Sequence, residues 1–218
     1  MIYISISGAI SVGKSLIFEY LKQKENVIID GRKFHKSRIL FIEEPVEKFK
    51  NFSDFNVLEK MTGFTLASQI AINLCMYDLY SNLKDQTDKY DVIISERNLY
   101  SGLIFSHTLN ELGFLTEFEM TVLEAFHNRI ISELFPKPDF VLLIKADPRI
   151  CAARIMNRGR EGEENLSIQY ITKLCHYYDS NDITKVYKPS KIIKMVNESN
   201  NKKEIFQSVD DALQNLST

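Results

Sequence analysis

The stretch GAISVGKS, Gly8 to Ser15, has the spacing G-x-x-x-x-G-K-[ST]. Glycines at those positions let a backbone wrap an anion. The N–H groups of the loop, and of a helix that starts from it, then face phosphate oxygens. In this pattern Gly8, Ala9, Ser11 and Gly13 line a nucleoside triphosphate, Lys14 reaches its β- and γ-phosphates, and Ser15 holds Mg²⁺. A chance glycine-rich turn needs neither a strand before it nor a helix after it, and both are expected here. Two further charged groups stand where short apolar runs stop: Glu43-Glu44-Pro45 after RILFI, and Glu96-Arg97 after VIIS. A charge buried without a partner costs several kcal/mol, roughly, so such groups belong at the mouth of a site rather than in the core. Arg97 can pair with Glu44 and bind a substrate or phosphate oxygen. Glu96 can face Mg²⁺ directly or through water. A third cluster, RIMNRGREGEE (154–164), brings Arg154, Arg158 and Arg160 ahead of Glu161, Glu163 and Glu164. Arginines there can close over a triphosphate as a lid, about 154–166, and the acids can bind substrate hydroxyls. Taken alone, the same charges read as a solvated helix face with i,i+4 pairs; the phosphate loop tips the reading to a lid.

These groups need a scaffold that brings strand ends together. Strands are expected at 2–7, 38–43, 91–95, 139–146 and 191–196 from apolar runs and alternation. Helices are expected at 15–24, 53–61, 64–84, 98–112, 116–135, 147–157, 167–179 and 202–216 from apolar residues at helical spacing. Residues 30–37 and 180–190 read as loops. Nearly continuous apolar strands such as DFVLLIKA suit a parallel sheet covered on both faces. The alternation implies an α/β fold, five parallel strands with right-handed crossovers and helices on both faces, in one domain over 1–218. Ligands in such sheets sit beyond the carboxyl ends of the strands.

The chain has 218 residues and a net charge of −2, which suggests neither a nucleic-acid nor a membrane surface. No apolar run approaches the ~20 residues of a membrane span, and the N-terminus has no basic leader, so a cytoplasmic location is expected. Three widely spaced cysteines read as reduced packing thiols. The four histidines show no metal-ligand spacing and read as surface or helix residues.

The motifs EEPVEKF (43–49), SERNLYSG (95–102) and RIMNRGREGEE (154–164), in this order after the phosphate loop, resemble the deoxynucleoside kinase family. The resemblance covers roughly residues 3–180. It implies a P-loop kinase fold and ATP- and Mg²⁺-dependent phosphorylation of the 5′-hydroxyl of a deoxynucleoside, a step of nucleotide salvage. It implies Glu44 as catalytic base, with Arg97 organising the base and Glu96 at the Mg²⁺. It implies Gln69 reading the nucleobase, with Phe49 and Phe105 as aromatic contacts and Ile72 and Met76 beside the base. Arg154, Arg158 and Arg160 match the lid arginines, and Glu163 matches the acid that holds the 3′-hydroxyl. The chain departs from the family pattern at Asn98, usually Ser, at Thr62, at Ser68 and at Leu103. Purine- and deoxycytidine-active members carry Arg and Asp where this chain has Met76 and Gly102. That difference implies apolar room for the methyl group of thymine and a pyrimidine preference, with thymidine and deoxycytidine both accepted. A homodimer is implied as well.

Two other readings share the phosphate loop. A thymidylate-type monophosphate kinase would take a phosphate acceptor, which the Glu43-Glu44 pair would repel. A nucleotide-binding module without turnover would have no use for Glu44 as a base.

Overall fold

A computed structural model describes residues 1–46, 48, 65–131, 135–160, 163, 166–180, 182–187, 190–199 and 201–216. Strand β1 (Ile2–Ser7) runs into the glycine loop, and helix α1 (Lys14–Gln23) leaves it. The chain then makes an antiparallel hairpin of β2 (Asn26–Ile29) and β3 (Arg32–His35), where a loop is expected from the sequence. The reason is local. Asp30 and Gly31 both take positive φ, 50° and 71°, which is the two-residue turn that an Asp-Gly pair favours. After it come β4 (Ile39–Ile42), helix α2 (Leu66–Lys84) and β5 (Val92–Glu96). Helices α3 (Ser101–Glu111) and α4 (Glu117–Phe126) precede β6 (Phe140–Lys145). Helices α5 (Pro148–Arg158), α6 (Ile168–Asp179) and α7 (Asp182–Tyr187), strand β7 (Lys191–Val196) and helix α8 (Lys202–Gln214) complete the chain.

Strands β4, β5, β1, β6 and β7 lie in that order in one sheet, and every pair is parallel. The central strands are buried on both faces. On one face Phe41 of β4 meets Phe18 of α1 edge to face at 5.8 Å. On the other, Tyr3 of β1 shares hydroxyl hydrogen bonds with Tyr80 of α2 and Ser95 of β5, both 3.1 Å. Helices therefore cover both faces, as the apolar runs require.

Three expected elements differ in detail. The segment read as one helix over 116–135 stops at Phe126 and continues as a wide π-type turn over His127–Ile131. The segment 180–190, read as a loop, holds the short helix α7. Its Tyr187 is fully buried and bonds Ser7 at 2.7 Å, so tertiary packing stabilises a helix too short to persist alone. Helix α3 begins at Ser101 rather than 98, because the Asn98 side chain organises the preceding turn: its Oδ1 accepts from the Tyr100 N–H at 2.9 Å and its Nδ2 donates to Ser5 at 2.7 Å. The helix expected at 53–61 lies outside the described residues.

Candidate active site

The loop after β1 has the shape of an anion cradle. Gly8 has φ 144°, and a Cβ there would lie 2.3 Å from the carbonyl oxygen of Ile144 in β6, so only glycine fits. Ser11 and Gly13 also take positive φ, 60° and 99°. Arg154 on α5 braces the loop from outside by donating to the carbonyls of Ser11 (3.4 Å) and Asn197 (3.1 Å). Asn197, just past β7, donates to Val12 O at 2.8 Å, a brace that no motif in the sequence reveals. The Lys14 ammonium donates to Ala9 O at 2.7 Å. Burial, then the neighbouring Arg97, brings its pKa down to about 7 against the pull of Glu44 and Glu96. A buried ammonium with so little compensation is poised for an anion.

Arg97 stands at the centre. It follows β5 directly and takes a left-handed φ of 62°, an unusual conformation for a side chain of this size. Its Nε lies 2.8 Å from Glu44 Oε1, at ion-pair distance but off the line of a hydrogen bond. One terminal nitrogen donates to Gly8 O at 3.0 Å and to the Tyr178 hydroxyl at 3.1 Å. The guanidinium carbon sits 4.7 Å from the ring centre of Phe105. Burial opposes its charge, but Glu44, ahead of Tyr178 and Glu96, more than offsets this and raises the pKa. Glu96 and Arg97 are 6% and 5% exposed, so they are buried at the cavity wall and not at an open mouth as the sequence suggests. Arg97 avoids the cost of a lone buried charge by facing Glu44. Glu96 accepts from the Ser15 hydroxyl at 2.5 Å. Burial, then Glu44, raises its pKa.

Glu43 and Glu44 part company. Glu44 lines the cavity, while Glu43 is exposed and pairs with Lys22 of α1 at 3.1 Å. A joint repulsion of a phosphate acceptor by both acids, expected from the sequence, therefore reduces to Glu44 alone. Among the lid residues, Arg158 and Arg160 both pair with buried Glu163, Arg160 at 3.2 Å. Helix α5 stops beside them at Gly159, which takes the left-handed φ of 59° common at helix ends.

A cavity of about 400 Å³ joins these groups to the inner face of α2. Gln69, Ile72, Asn73 and Met76 line it from α2, and Gly102 and Phe105 from α3. Ser68 does not take an aromatic's place here; with Thr65 it forms the capping box that starts α2. The apolar room expected at Gly102 is absent. A Cβ there would lie 2.2 Å from Asn73 Oδ1 and 3.1 Å from His127 Nε2. His127 opens the π-type turn, a helical position as expected, but is buried rather than at the surface, and burial brings its pKa down to about 4. Phe49, Thr62, Glu161 and Glu164 lie outside the described residues.

The structure thus gathers Lys14, Ser15, Glu44, Gln69, Glu96 and Arg97 around one space, with Arg154, Arg158, Arg160 and Glu163 on its rim. Gly8 and Ala9 stand behind the wall and contribute carbonyls, to Arg97 and Lys14 respectively. Tyr178, Asn73 and Asn197 were not singled out from the sequence. A polar Asn73 one turn after Gln69 on an otherwise apolar helix face was a legible signal; the other two are set only by tertiary contact. For Mg²⁺, Ser15 and Glu96 offer a hydroxyl and a carboxylate on adjacent elements. Hard oxygen donors, few in number, suit a cation that keeps most of its waters and binds phosphate.

Comparison with known proteins adds to this geometry. A family model described as deoxynucleoside kinase matches residues 4–215. The mitochondrial deoxyguanosine kinase of Xenopus laevis is 36% identical over 202 residues, covering 81% of this chain and 71% of that protein. The deoxycytidine kinase of Mus musculus is 28% identical over 195 residues, covering 81% and 74%. A solved structure of deoxyadenosine kinase from M. mycoides with bound dCTP superposes with a TM-score of 0.73 at 20% identity, covering 96% of this chain and 98% of that one.

Proposed function

The chain belongs to the deoxynucleoside kinase family, and we propose on that footing that it uses ATP and Mg²⁺ to phosphorylate the 5′-hydroxyl of deoxynucleosides, pyrimidines above purines. One observation carries the reading. A single cavity holds a cradle for phosphates, a carboxylate fixed by a buried arginine, and a neutral, amide-lined end on α2.

In this reading the triphosphate lies along the Gly8–Ser15 loop with Lys14 on its outer phosphates. Ser15 and Glu96 would hold Mg²⁺, which would supply charge neutralisation for the phosphates. Arg97 keeps Glu44 at the 5′-hydroxyl. That oxygen attacks the γ-phosphorus, the bond to the β-phosphate oxygen breaks, ADP leaves, and the hydroxyl proton passes to Glu44. Transfer of this kind has a loose transition state, so positioning and charge stabilisation contribute most of the acceleration. Arg158 and Arg160 exchange Glu163 for phosphate oxygens when the triphosphate binds. Glu163 is thereby released to the 3′-hydroxyl, and Arg154 holds the loop. Gln69 pairs with the base, and the apolar Ile72 and Met76 lie beside it. Met76 and Gly102 stand where purine-active members carry Arg and Asp, so no buried charge awaits a purine partner here, which supports the pyrimidine preference. We further propose a homodimer in the cytoplasm, for which sedimentation at micromolar protein is the direct measurement.

The deciding experiment is a panel of thymidine, deoxycytidine, deoxyadenosine, deoxyguanosine and thymidine monophosphate with ATP. Pyrimidine nucleosides should lead in kcat/KM. Leading turnover of the monophosphate would replace this reading with a monophosphate kinase, and no turnover of any acceptor would leave a binding module. A purine lead would overturn the pyrimidine preference alone.

A further inference from the structure

Three buried polar atoms around Gly102 have no hydrogen-bond partner: Nδ2 of Asn73 and both ring nitrogens of His127. Asn73 is 2% exposed and lines the cavity. Buried polar groups are nearly always satisfied, so an unsatisfied carboxamide on a cavity wall points to a ligand. Asn73 follows Gln69 by four residues on α2, one turn along the same face, and both residues line the same space. Opposite Asn73 the chain has Gly102, the residue without a side chain. Its bare Cα leaves the amide its place, because a Cβ would fall 2.2 Å from Oδ1. His127 closes the back of this corner as a neutral ring.

We propose that Asn73 is a second base-reading residue, which hydrogen-bonds the exocyclic group at carbon 4 of the pyrimidine while Gln69 pairs with its neighbour on the ring. This rests on the nucleoside reading above. The chemistry follows from the donor and acceptor count. A pyrimidine edge presents three polar groups, and one carboxamide meets two of them. The third group needs a partner from the same wall, and among the described residues of α2 that line it Asn73 has the unpartnered nitrogen. Carbon 4 lies next to carbon 5 on the ring, whose methyl group in thymine the family resemblance places near Met76, three residues beyond Asn73. A carboxamide is also ambivalent. Nδ2 donates to the keto oxygen of thymine, and after the amide turns over, Oδ1 accepts from the amino group of cytosine. The same residue thus serves both bases, whereas a buried carboxylate or guanidinium would choose.

The test compares thymidine and deoxycytidine with the deoxynucleoside of 2-pyrimidinone, which lacks the group at carbon 4. In the unaltered protein the analogue should be poorer than deoxycytidine by about tenfold in kcat/KM, the magnitude of one good polar contact. In Asn73→Leu, of similar volume, thymidine and deoxycytidine should fall to the level of the analogue, chiefly through KM, and the analogue should be unchanged within about threefold. Gly102→Ala, which displaces the Asn73 amide without removing it, should give the same convergence and cover the case in which Asn73→Leu does not fold. Equal losses for all three nucleosides would make Asn73 a packing residue, and no loss for any would remove it from the site; either result overturns the proposal. Failure of the unaltered protein to phosphorylate any of the three would instead bring down the nucleoside reading itself.

Discussion

Replacing Glu44 with Gln separates two roles that one carboxylate combines. The side chain keeps its shape and one oxygen but can no longer take a proton. If Glu44 is the general base, kcat should fall by about 10²–10⁴-fold, which is about 3–5 kcal/mol on the barrier. KM for the nucleoside should change little, because a proton acceptor acts only as the transition state forms. The same change removes a negative charge 2.8 Å from Arg97, which keeps Gly8 O, the Tyr178 hydroxyl and the Phe105 ring as partners. Deleting one partner of a fully buried pair costs about 3–5 kcal/mol. Glu44 retains 20% exposure, and Gln still offers an oxygen, so about 1–2 kcal/mol is the expected loss here. In a chain of this size that lowers Tm by roughly 2–4 °C per kcal/mol. Steady-state kinetics with saturating ATP and a thermal melt measure both. Glu43→Gln, at an exposed site paired with Lys22, is the control and should leave kcat unchanged. A Glu44→Gln enzyme with kcat within about threefold of the parent refutes the base assignment. A large fall in kcat shared by Glu43→Gln would refute the separation of the two acids.

Three other outcomes follow from the same geometry. Arg97→Lys keeps the charge but loses the fork that reaches Glu44, Gly8 O and Tyr178 together, so kcat should fall by at least about 10²-fold while circular dichroism stays native; near-normal kcat would show that the fork is dispensable. Lys14 has a folded pKa of about 7 against an ordinary 10.5, so its burial destabilises the protein fully below about pH 7, and the penalty fades as pH rises toward 10.5. Triphosphate binding near pH 8.5 should therefore take up a fraction of a proton, seen as a buffer-dependent calorimetric enthalpy that Lys14→Met abolishes; identical enthalpies in two buffers would contradict it. Gly8→Ala should cost more than about 4 kcal/mol in urea unfolding, because the new Cβ meets the Ile144 carbonyl at 2.3 Å and φ is 144°; a loss under about 1 kcal/mol would mean the loop can shift without strain.

Several features of this protein were legible in residue order alone. The glycine loop declares itself because a tight anion cradle needs glycine and a helix start at fixed spacing, which is local chemistry. Strands β4, β5 and β6 are nearly continuous apolar runs, since a strand buried on both faces has little polar side to show, while β1 announces itself by alternation. The strand-end charges Glu44, Glu96 and Arg97 stood out against those runs. The Asp30-Gly31 hairpin was equally local, since its turn chemistry is written in two residues, though the segment reads at first as a loop.

Only the tertiary structure decided what those charges meet. Whether Glu43 or Glu44 faces the cavity depends on how β4 ends relative to α1, and the outcome is Glu43 on Lys22 and Glu44 on Arg97. Tyr178 and Asn197 are far from the glycine loop in the chain, and nothing in their own neighbourhoods announces that they brace Arg97 and Val12. Tyr187 holds a short helix against Ser7 across 180 residues of sequence. Gly102 shows the difference most plainly. Read as a letter, a missing side chain means empty space. In the folded protein the space beside it is occupied by the amide of Asn73, because α2 and α3 approach closely enough for one residue to fill what the other omits. Side-chain type is local, but the volume and partners around it belong to whichever elements pack there, and that packing is set by the whole chain.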